Sequence, residues 1–84
     1  MKVMSAMETI PFREVRQGMR ARVISVPDGP DMKRLREMGL NEGVEFTVAK
    51  VAPFGDTIEI RLLSYALCLR KRDAESILVQ PVPA

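Results

Sequence analysis

The sequence has no histidine and no tryptophan, and Cys68 is the single cysteine among its 84 residues. Histidine is both the usual proton carrier near neutral pH and the commonest metal ligand, so its absence removes both functions together. One cysteine cannot form an intramolecular disulfide, which indicates a reducing compartment such as the cytoplasm. We expect the Cys68 thiol to be buried within a strand as a small apolar group.

Long hydrophobic runs are also missing. No stretch approaches the roughly 18 uninterrupted apolar residues that a membrane span requires, and residues 1–12 lack the apolar region of a signal peptide. An excess of one charge is lacking too, because 13 Lys and Arg stand against 11 Asp and Glu, a net charge of +2. These absences predict a cytoplasmic protein without direct membrane insertion, whose surface has local patches but no strong overall field.

What the sequence does contain is frequent turn residues between short apolar runs. A chain this small has room for a single domain, which we place at residues 10–80. The segments 1–9 and 81–84 are expected to be loose ends, since the first lacks periodicity and the second contains prolines that cannot donate to a strand ladder.

Alternation of apolar and polar residues predicts about five short strands. They cover residues 20–26, 44–51, 57–63, 66–70 and 76–80. A break in the alternation near Lys50 indicates a β-bulge. Rolling so short a sheet into a barrel protects its edge strands, so the sequence predicts a mainly β, SH3-like barrel.

In one segment the spacing of the apolar residues changes from two residues to three. Apolar residues spaced three apart predict a short helix at about 31–38, which begins after a proline suited to the first helical position. Gly39 is expected to close this helix in the left-handed conformation. Single helical turns are predicted near 12–16 and 71–75.

Several motifs then follow in a recognisable order. The run R-L-R-E-M-G-L-N-E-G occupies 34–43, and the turn P-F-G-D occupies 53–56. The runs L-C-L-R-K-R-D-A at 67–74 and I-L-V at 77–79 come later. Together these motifs resemble the FeoA family (ferrous iron transport protein A) over nearly the whole predicted domain. The resemblance departs at Ser64-Tyr65, where the family more often has glycine.

The resemblance implies an SH3-like barrel and a non-enzymatic cytosolic accessory of ferrous iron uptake. The implied partner is FeoB, a membrane iron transporter with a G-protein domain, which the protein would bind and modulate at the inner face of the membrane. Iron-dependent repressors of the DtxR type end in a similar domain, so an iron-sensing regulatory domain is an alternative. An exposed barrel edge would also permit a homodimer.

The residue types favour no catalytic or metal centre. No serine or cysteine nucleophile has a histidine base, and no glycine-rich phosphate loop is present. Asp28 and Asp31 offer oxygens suited to a hard cation, but turn formation and capping of the helix N-terminus are the roles expected of them. We therefore predict no enzymatic activity, no catalytic residue, no cofactor and no metal site.

Contact with a partner is the function that remains. Phe54 and Tyr65 lie at predicted turns and are the aromatic residues that the core least needs, as is typical of interface anchors. Arg34 and Arg36 lie on the predicted helix, where they either contact a GTPase partner as an arginine finger would or pair with an acid such as Glu37. These two arginines and two aromatics are the candidate partner-binding residues.

A nucleic-acid- or ribosome-associated barrel is a further alternative, motivated by the basic run at 70–72. The basic residues are otherwise interleaved with acids, whereas strong binding to nucleic acid requires several phosphate contacts. Phe12 and Phe46 are expected in the core, which leaves no aromatic platform for stacked bases. We therefore predict no nucleic-acid partner.

Overall fold

The computed structural model describes residues 9–83, and within them the chain forms six strands, two short α-helices and one 3-10 turn. The strands are β1 (Ile10–Pro11), β2 (Arg20–Ser25), β3 (Glu45–Val51), β4 (Thr57–Arg61), β5 (Ala66–Arg70) and β6 (Leu78–Pro81). The helices are α1 (Pro30–Glu37) and α2 (Lys71–Ala74), and the 3-10 turn is Phe12–Glu14. The mainly β architecture predicted from the sequence is confirmed.

The strands form one antiparallel sheet in the order β1-β6-β2-β3-β4-β5, so β1 and β5 are its two edges. The strand that the alternation did not predict is β1, which pairs Ile10 with Val79 and Pro11 with Leu78. Two residues are too few to show a period, so this strand is visible through its long-range pairing alone.

Two irregularities bend the sheet. One interrupts the pairing of β2 with β6 between Val23 and Ser25, and the other interrupts β3 against β4 between Val48 and Lys50. The second confirms the bulge predicted near Lys50. Because a bulge adds a residue to one strand and increases its local twist, both irregularities help a short sheet to curl around its core. The ladder between β4 and β5 is continuous.

The core fills the concave side of the sheet. Ile58 and Ile60 of β4 are fully buried, and the Phe12 ring packs against Phe46 with 5.4 Å between centroids. The other buried apolar residues are Val15, Ala21, Val23, Val26, Met32, Leu35, Leu40, Val48, Leu69, Ala74, Ile77 and Val79. Every second strand residue therefore points inward, as the alternation predicted.

Five strand ends differ from the prediction: β2 ends one residue earlier, β3 begins one residue later, β4 ends two residues earlier, and β6 begins two residues later and ends one residue later. β4 ends at Arg61, because the Leu62 N–H already donates to the Tyr65 carbonyl at 2.8 Å and closes the hairpin. β6 extends to Pro81, and the Val82 N–H donates to the Arg20 carbonyl at 2.9 Å, so pairing continues beyond residue 80. Of the segments predicted to be loose, 1–9 and 81–84, residues 1–8 and Ala84 lie outside the described residues.

Helix α1 lies within one residue of the predicted range. It begins at Pro30, after a Gly29 with a φ of 140°, and no side chain caps it, so the capping expected of Asp28 or Asp31 is wrong. Gly39 has a φ of 109° and donates its N–H to the Arg36 carbonyl at 3.0 Å. The left-handed end of the helix is thus confirmed.

Candidate functional site

A groove of about 530 Å³ lies between α1 and β5. Leu35 of α1 and Leu69 of β5 line it and are both buried, so they form an apolar floor. The other lining residues are Pro30, Asp31, Arg34, Met38, Cys68, Arg70 and Asp73. The groove therefore combines an apolar floor with polar rims, the arrangement typical of sites that bind other molecules.

One end of the groove is fixed by Tyr65, which immediately precedes β5. Its hydroxyl donates to the Met38 carbonyl at the end of α1, with 2.6 Å between the oxygens. A side chain on Gly39 would meet the same hydroxyl, so the glycine lets Tyr65 approach the helix end closely. This contact holds the end of α1 beside the start of β5.

The side of β5 that faces away from β4 has unpaired backbone groups. The Leu62 N–H donates to the Tyr65 carbonyl (2.8 Å), and the Lys71 N–H donates to the Asp56 carbonyl (2.7 Å). These two bonds determine which residues of β5 form backbone hydrogen bonds with β4 and which do not. Residues 67 and 69 consequently direct their backbone groups toward β4, and residues 66, 68 and 70 direct their N–H groups away from it. Within residues 9–83, no strand pairs with β5 on that side.

Positive charge is concentrated on the outer face of the sheet. The cross-strand pairs place five basic and two acidic side chains on this face of β2 to β5. They are Arg20, Arg22, Lys50, Arg61 and Arg70, with Glu45 and Glu59. The net charge of +3 on one face exceeds the +2 of the whole chain, so this face attracts acidic groups.

The basic residues of the outer face differ in their partners. Arg20 and Arg22 donate to Glu45 at 3.0 and 2.7 Å, and the hydrogen bond from Arg22 lowers the pKa of Glu45. Arg61 and Arg70 form no ion pair with any residue from 9 to 83. Lys50 of β3 likewise forms no ion pair within residues 9–83, so two of the three unpaired basic residues of this face, Arg61 and Arg70, lie on β4 and β5 next to the free edge.

Two of the four candidate partner-binding residues border the groove. Arg34 is exposed on its rim and, within residues 9–83, forms no ion pair with Glu37 or any other acid. Tyr65 does not line the groove, but its hydroxyl contacts the carbonyl of Met38, which does, and its side chain is about half exposed. The structure therefore brings these two residues to the same site.

Arg36 forms its hydrogen bonds within the protein and does not line the groove. Its guanidinium donates to the Val26 carbonyl at 2.6 Å and to both Glu42 carboxylate oxygens at 3.0 Å. Glu42 also accepts the Val26 N–H at 3.2 Å. The hydrogen bond from Arg36 is the largest cause of the lowered pKa of Glu42. These hydrogen bonds hold α1 against the Val26 segment that precedes it.

Phe54 lies apart from the groove, at the tip of the turn between β3 and β4. Its side chain is fully exposed and does not fold back over the barrel. Leu63, in the connection after β4, is equally exposed and was not singled out from the sequence. Its one sequence signal is a second leucine directly after the inward-facing Leu62. The two exposed side chains lie at opposite ends of β4.

Cys68 is exposed, so the prediction that its thiol is buried is wrong. Leu67 and Leu69 occupy the inner face of β5, and alternation then places Cys68 on the outer face. Among the described residues, no group of three or more His, Cys, Asp or Glu is placed to hold a metal ion.

The basic run at 70–72 does not form one patch. Arg70 ends β5, whereas Lys71 and Arg72 begin α2, and the Arg72 guanidinium lies 3.9 Å from the Asp56 carboxylate. The acids Glu14 and Glu75 share the surface depression lined by Lys71 and Arg72. Basic and acidic groups are therefore mixed here, which does not favour phosphate binding.

Comparison with known proteins identifies the fold as SH3-like. The FeoA of Stenotrophomonas maltophilia, whose structure is described as a prokaryotic SH3 domain protein, is 25% identical with a TM-score of 0.73 and covers 84% of this chain and 89% of its own. A FeoA-like protein from Clostridium acetobutylicum is 35% identical, with a TM-score of 0.80 and 90% of each chain covered. The SH3-like barrel predicted from the sequence is confirmed.

Residues 10–81 match the FeoA domain, and the chain belongs to the FeoA family, which is associated with ferrous iron transport. It is also similar to a Fe(2+) transport protein A/Fe(2+) transporter FeoB fusion protein from Porphyromonas gingivalis, with 35% identity over 68 residues. The match covers 80% of this chain but 8% of that relative. The family assignment predicted from the sequence is confirmed.

None of the helices within residues 9–83 has the length and apolar character needed to span a bilayer.

Proposed function

We propose that this protein is a non-enzymatic cytosolic accessory of ferrous iron uptake, which binds a FeoB-type membrane transporter and modulates it. The observation that carries this proposal is the relative in which an FeoA segment and FeoB form one polypeptide. Covalent linkage keeps the two parts at a high effective concentration, which is useful when they act on each other. Parts that act on each other in this way also need surfaces that contact.

The surface of the described residues supports a role in contact. An apolar-floored groove with polar rims lies beside a strand edge with unpaired backbone groups. Phe54 and Leu63 are fully exposed large apolar side chains, and such residues contribute strongly when a partner removes them from water. Unpaired Arg34 on the groove rim adds a charged group that can contact an acidic partner.

Binding becomes modulation if it distinguishes between states of the transporter. A ligand shifts a two-state equilibrium by the ratio of its affinities for the two states. We therefore expect the protein to bind the cytosolic G-protein part of the transporter with an affinity that depends on the bound nucleotide. Catalysis by this protein is not needed for such an effect.

The test is a titration of the full chain with the purified cytosolic part of the FeoB-type transporter from the same genome. Calorimetry would be run without nucleotide, with GDP and with a non-hydrolysable GTP analogue, at low and moderate salt. We expect saturable binding whose affinity differs between nucleotide states. An unrelated SH3 domain is the matched control. Absence of binding in every state would refute the proposal, and steeply salt-dependent retention on RNA would favour a nucleic-acid partner instead.

A further inference from the structure

We propose that the free edge of β5 binds an extended segment of the partner as an additional strand of the sheet. The segment carries apolar residues on the side that faces α1, alternating with acidic residues on the outer face. This inference rests on the proposed function for the identity of the partner. It adds the surface, the mode of binding and the chemistry of the bound segment.

The backbone of β5 is the first support. An edge strand with unpaired N–H and C=O groups is a template for another strand, and proteins usually block it with proline, lysine, a bulge or very short length. The strand A-L-C-L-R has five residues, contains neither proline nor lysine, and pairs with β4 without a bulge. The outward N–H groups of Ala66, Cys68 and Arg70 can therefore pair with an added chain.

The groove is the second support. In an added strand, successive side chains would point alternately to the outer face and toward the groove. The residues that point toward the groove would meet Leu35 and Leu69 on its floor and Met38 beside them. About 530 Å³ of space lies there, within the range of about 300–1,000 Å³ typical of binding pockets. Apolar side chains suit the floor of the groove, whereas its rims carry the charged residues Asp31, Arg34 and Asp73.

Charge defines the other face of the bound segment. Its outward side chains would lie beside Ala66, Cys68 and Arg70, whose cross-strand neighbours on β4 are Arg61, Glu59 and Thr57. Arg61 and Arg70 have no acidic partner among residues 9–83. Opposite charges on neighbouring strands stabilise a sheet, whereas like charges destabilise it. Acidic residues are therefore favoured over basic ones at the two ends of the edge, beside Ala66 and Arg70, but not beside Cys68, where Glu59 is the neighbour.

The same charges disfavour a second copy of this chain as the occupant. If two copies of β5 paired about a two-fold axis at Cys68, each Arg70 would lie opposite the partner's Ala66, with no acid to neutralise it. The two outer faces, each with a net charge of +3 from five basic and two acidic residues, would become one continuous face. An acidic segment complements this charge, whereas a second copy doubles it.

The first test is amide hydrogen exchange on the ¹⁵N-labelled full chain, alone and with the cytosolic part of the FeoB-type transporter. In the free protein the amides of Leu67 and Leu69 should exchange slowly, and those of Ala66, Cys68 and Arg70 quickly. Binding should slow the second group at least tenfold and leave the first nearly unchanged. Protection confined to another surface would overturn the edge site and leave the proposed function intact.

The second test uses Cys68→Pro and its matched control, Cys68→Ala. The proline removes an outward N–H that makes no bond in the ladder with β4, which is where an edge strand tolerates proline. Both variants should keep the slow exchange of Leu67 and Leu69, which shows that the barrel is intact. Cys68→Pro should weaken transporter binding at least tenfold, whereas Cys68→Ala should stay within twofold. Ala66→Pro replaces Cys68→Pro if that variant does not fold.

The third test addresses charge. Arg61→Glu and Arg70→Glu should each weaken binding several-fold, and the double variant more. Arg13→Glu makes the same charge change at an exposed residue of the 3-10 turn, which does not belong to the outer-face set, and should bind as the wild type does. Equal losses in all three single variants would refute an acidic segment at this edge.

The remaining outcomes separate the two proposals. If folded Cys68→Pro binds the transporter as tightly as wild type does, the added strand is refuted but the proposed function stands. If wild type does not bind in any nucleotide state, both proposals fail. If the amides of Ala66, Cys68 and Arg70 become protected as the concentration of the protein alone increases, a second copy is the occupant and the partner strand is refuted.

Discussion

The two edges of the sheet are built differently. β1 has two residues, and one of them, Pro11, has no N–H to donate. β5 has five residues, each outward position retains its N–H, and its ladder with β4 is unbroken. Natural sheets block their edges against unwanted pairing, and this one blocks the β1 edge while β5 keeps the features that promote pairing.

The neighbours of the two edges differ as well. Directly after β1 the chain turns into the 3-10 segment, where the Phe12 N–H donates to the Ile77 carbonyl at 2.9 Å, and this segment packs against α2. Beside β5, α1 is separated from the strand by the groove, and Tyr65 connects them at one end. The chain after β1 therefore stays bonded to the segment before β6 and packed against α2, whereas a groove lies beside β5. The difference supports the proposal that the partner binds on the β5 side.

The largest expected effect tests how firmly each edge is anchored. Leu69→Ala removes a buried side chain from β5 and should cost about 2–5 kcal/mol of the free energy of unfolding. Ile10→Ala removes a partly buried side chain from β1 and should cost about 1 kcal/mol, since each fully buried methylene contributes about 0.8 kcal/mol. Urea unfolding at pH 7 measures both values. Equal losses would mean that the two edges are equally anchored.

A smaller effect tests the contact that positions α1 beside β5. Gly39 and Gly43 both have positive φ, 109° and 91°, so alanine at either position should cost about 1–2 kcal/mol. At Gly43 the added Cβ meets nothing within 4 Å, whereas at Gly39 it meets the Tyr65 hydroxyl. Gly39→Ala should therefore cost about 1 kcal/mol more, because the bond from Tyr65 to Met38 is lost.

A double variant isolates that contact. Tyr65→Phe alone should cost about 1 kcal/mol, since it removes the hydroxyl that donates to the Met38 carbonyl. In the Tyr65→Phe background, Gly39→Ala should lose most of its extra cost and approach the cost of Gly43→Ala. Urea unfolding of the four members of the cycle gives the coupling. A coupling of zero would show that Tyr65 does not determine the position of the helix end.

The sequence predicted those elements whose causes are local. The ends of α1 were predicted to within one residue because Pro30 suits a helix start and Gly39 suits a helix end. The bulge near Lys50 was predicted because it breaks an alternation that is visible in the six consecutive residues 44–49. In each case the side chains or backbone preferences of neighbouring residues decide the structure.

Features that depend on distant pairing could not be predicted in this way. β1 forms because Ile10 pairs with Val79, and a two-residue segment is too short for its sequence pattern to predict this pairing. The groove requires α1 to lie beside β5, and the sequence does not give the distance between two separate elements. The environment of Cys68 was misjudged for a related reason, since the surrounding leucines suggest burial, but an edge strand has one buried face.

The smallest expected effect concerns the wall of the groove that α1 forms. Arg36 and the Val26 N–H both donate to Glu42, and these bonds lower the pKa of Glu42 in the folded state. A carboxyl whose pKa is lower in the folded state stabilises the fold above its unfolded pKa of about 4.3 and loses that contribution as pH falls through the folded value. The stability of the protein should therefore fall in acid partly because Glu42 is protonated.

Glu42→Gln tests directly how much the ionised Glu42 carboxylate contributes to stability. The variant should be less stable than wild type at pH 7, and the difference between them should shrink as pH falls below about 4. Glu37→Gln is the matched control, because Glu37 is an exposed carboxylate on α1 without an ion pair among residues 9–83. Its profile should follow that of wild type. If urea midpoints between pH 3 and 7 gave Glu42→Gln a constant offset from wild type, this pH-dependent link between α1 and the Val26 segment would be refuted. The β5 groove would then depend on Tyr65 to hold α1 in place.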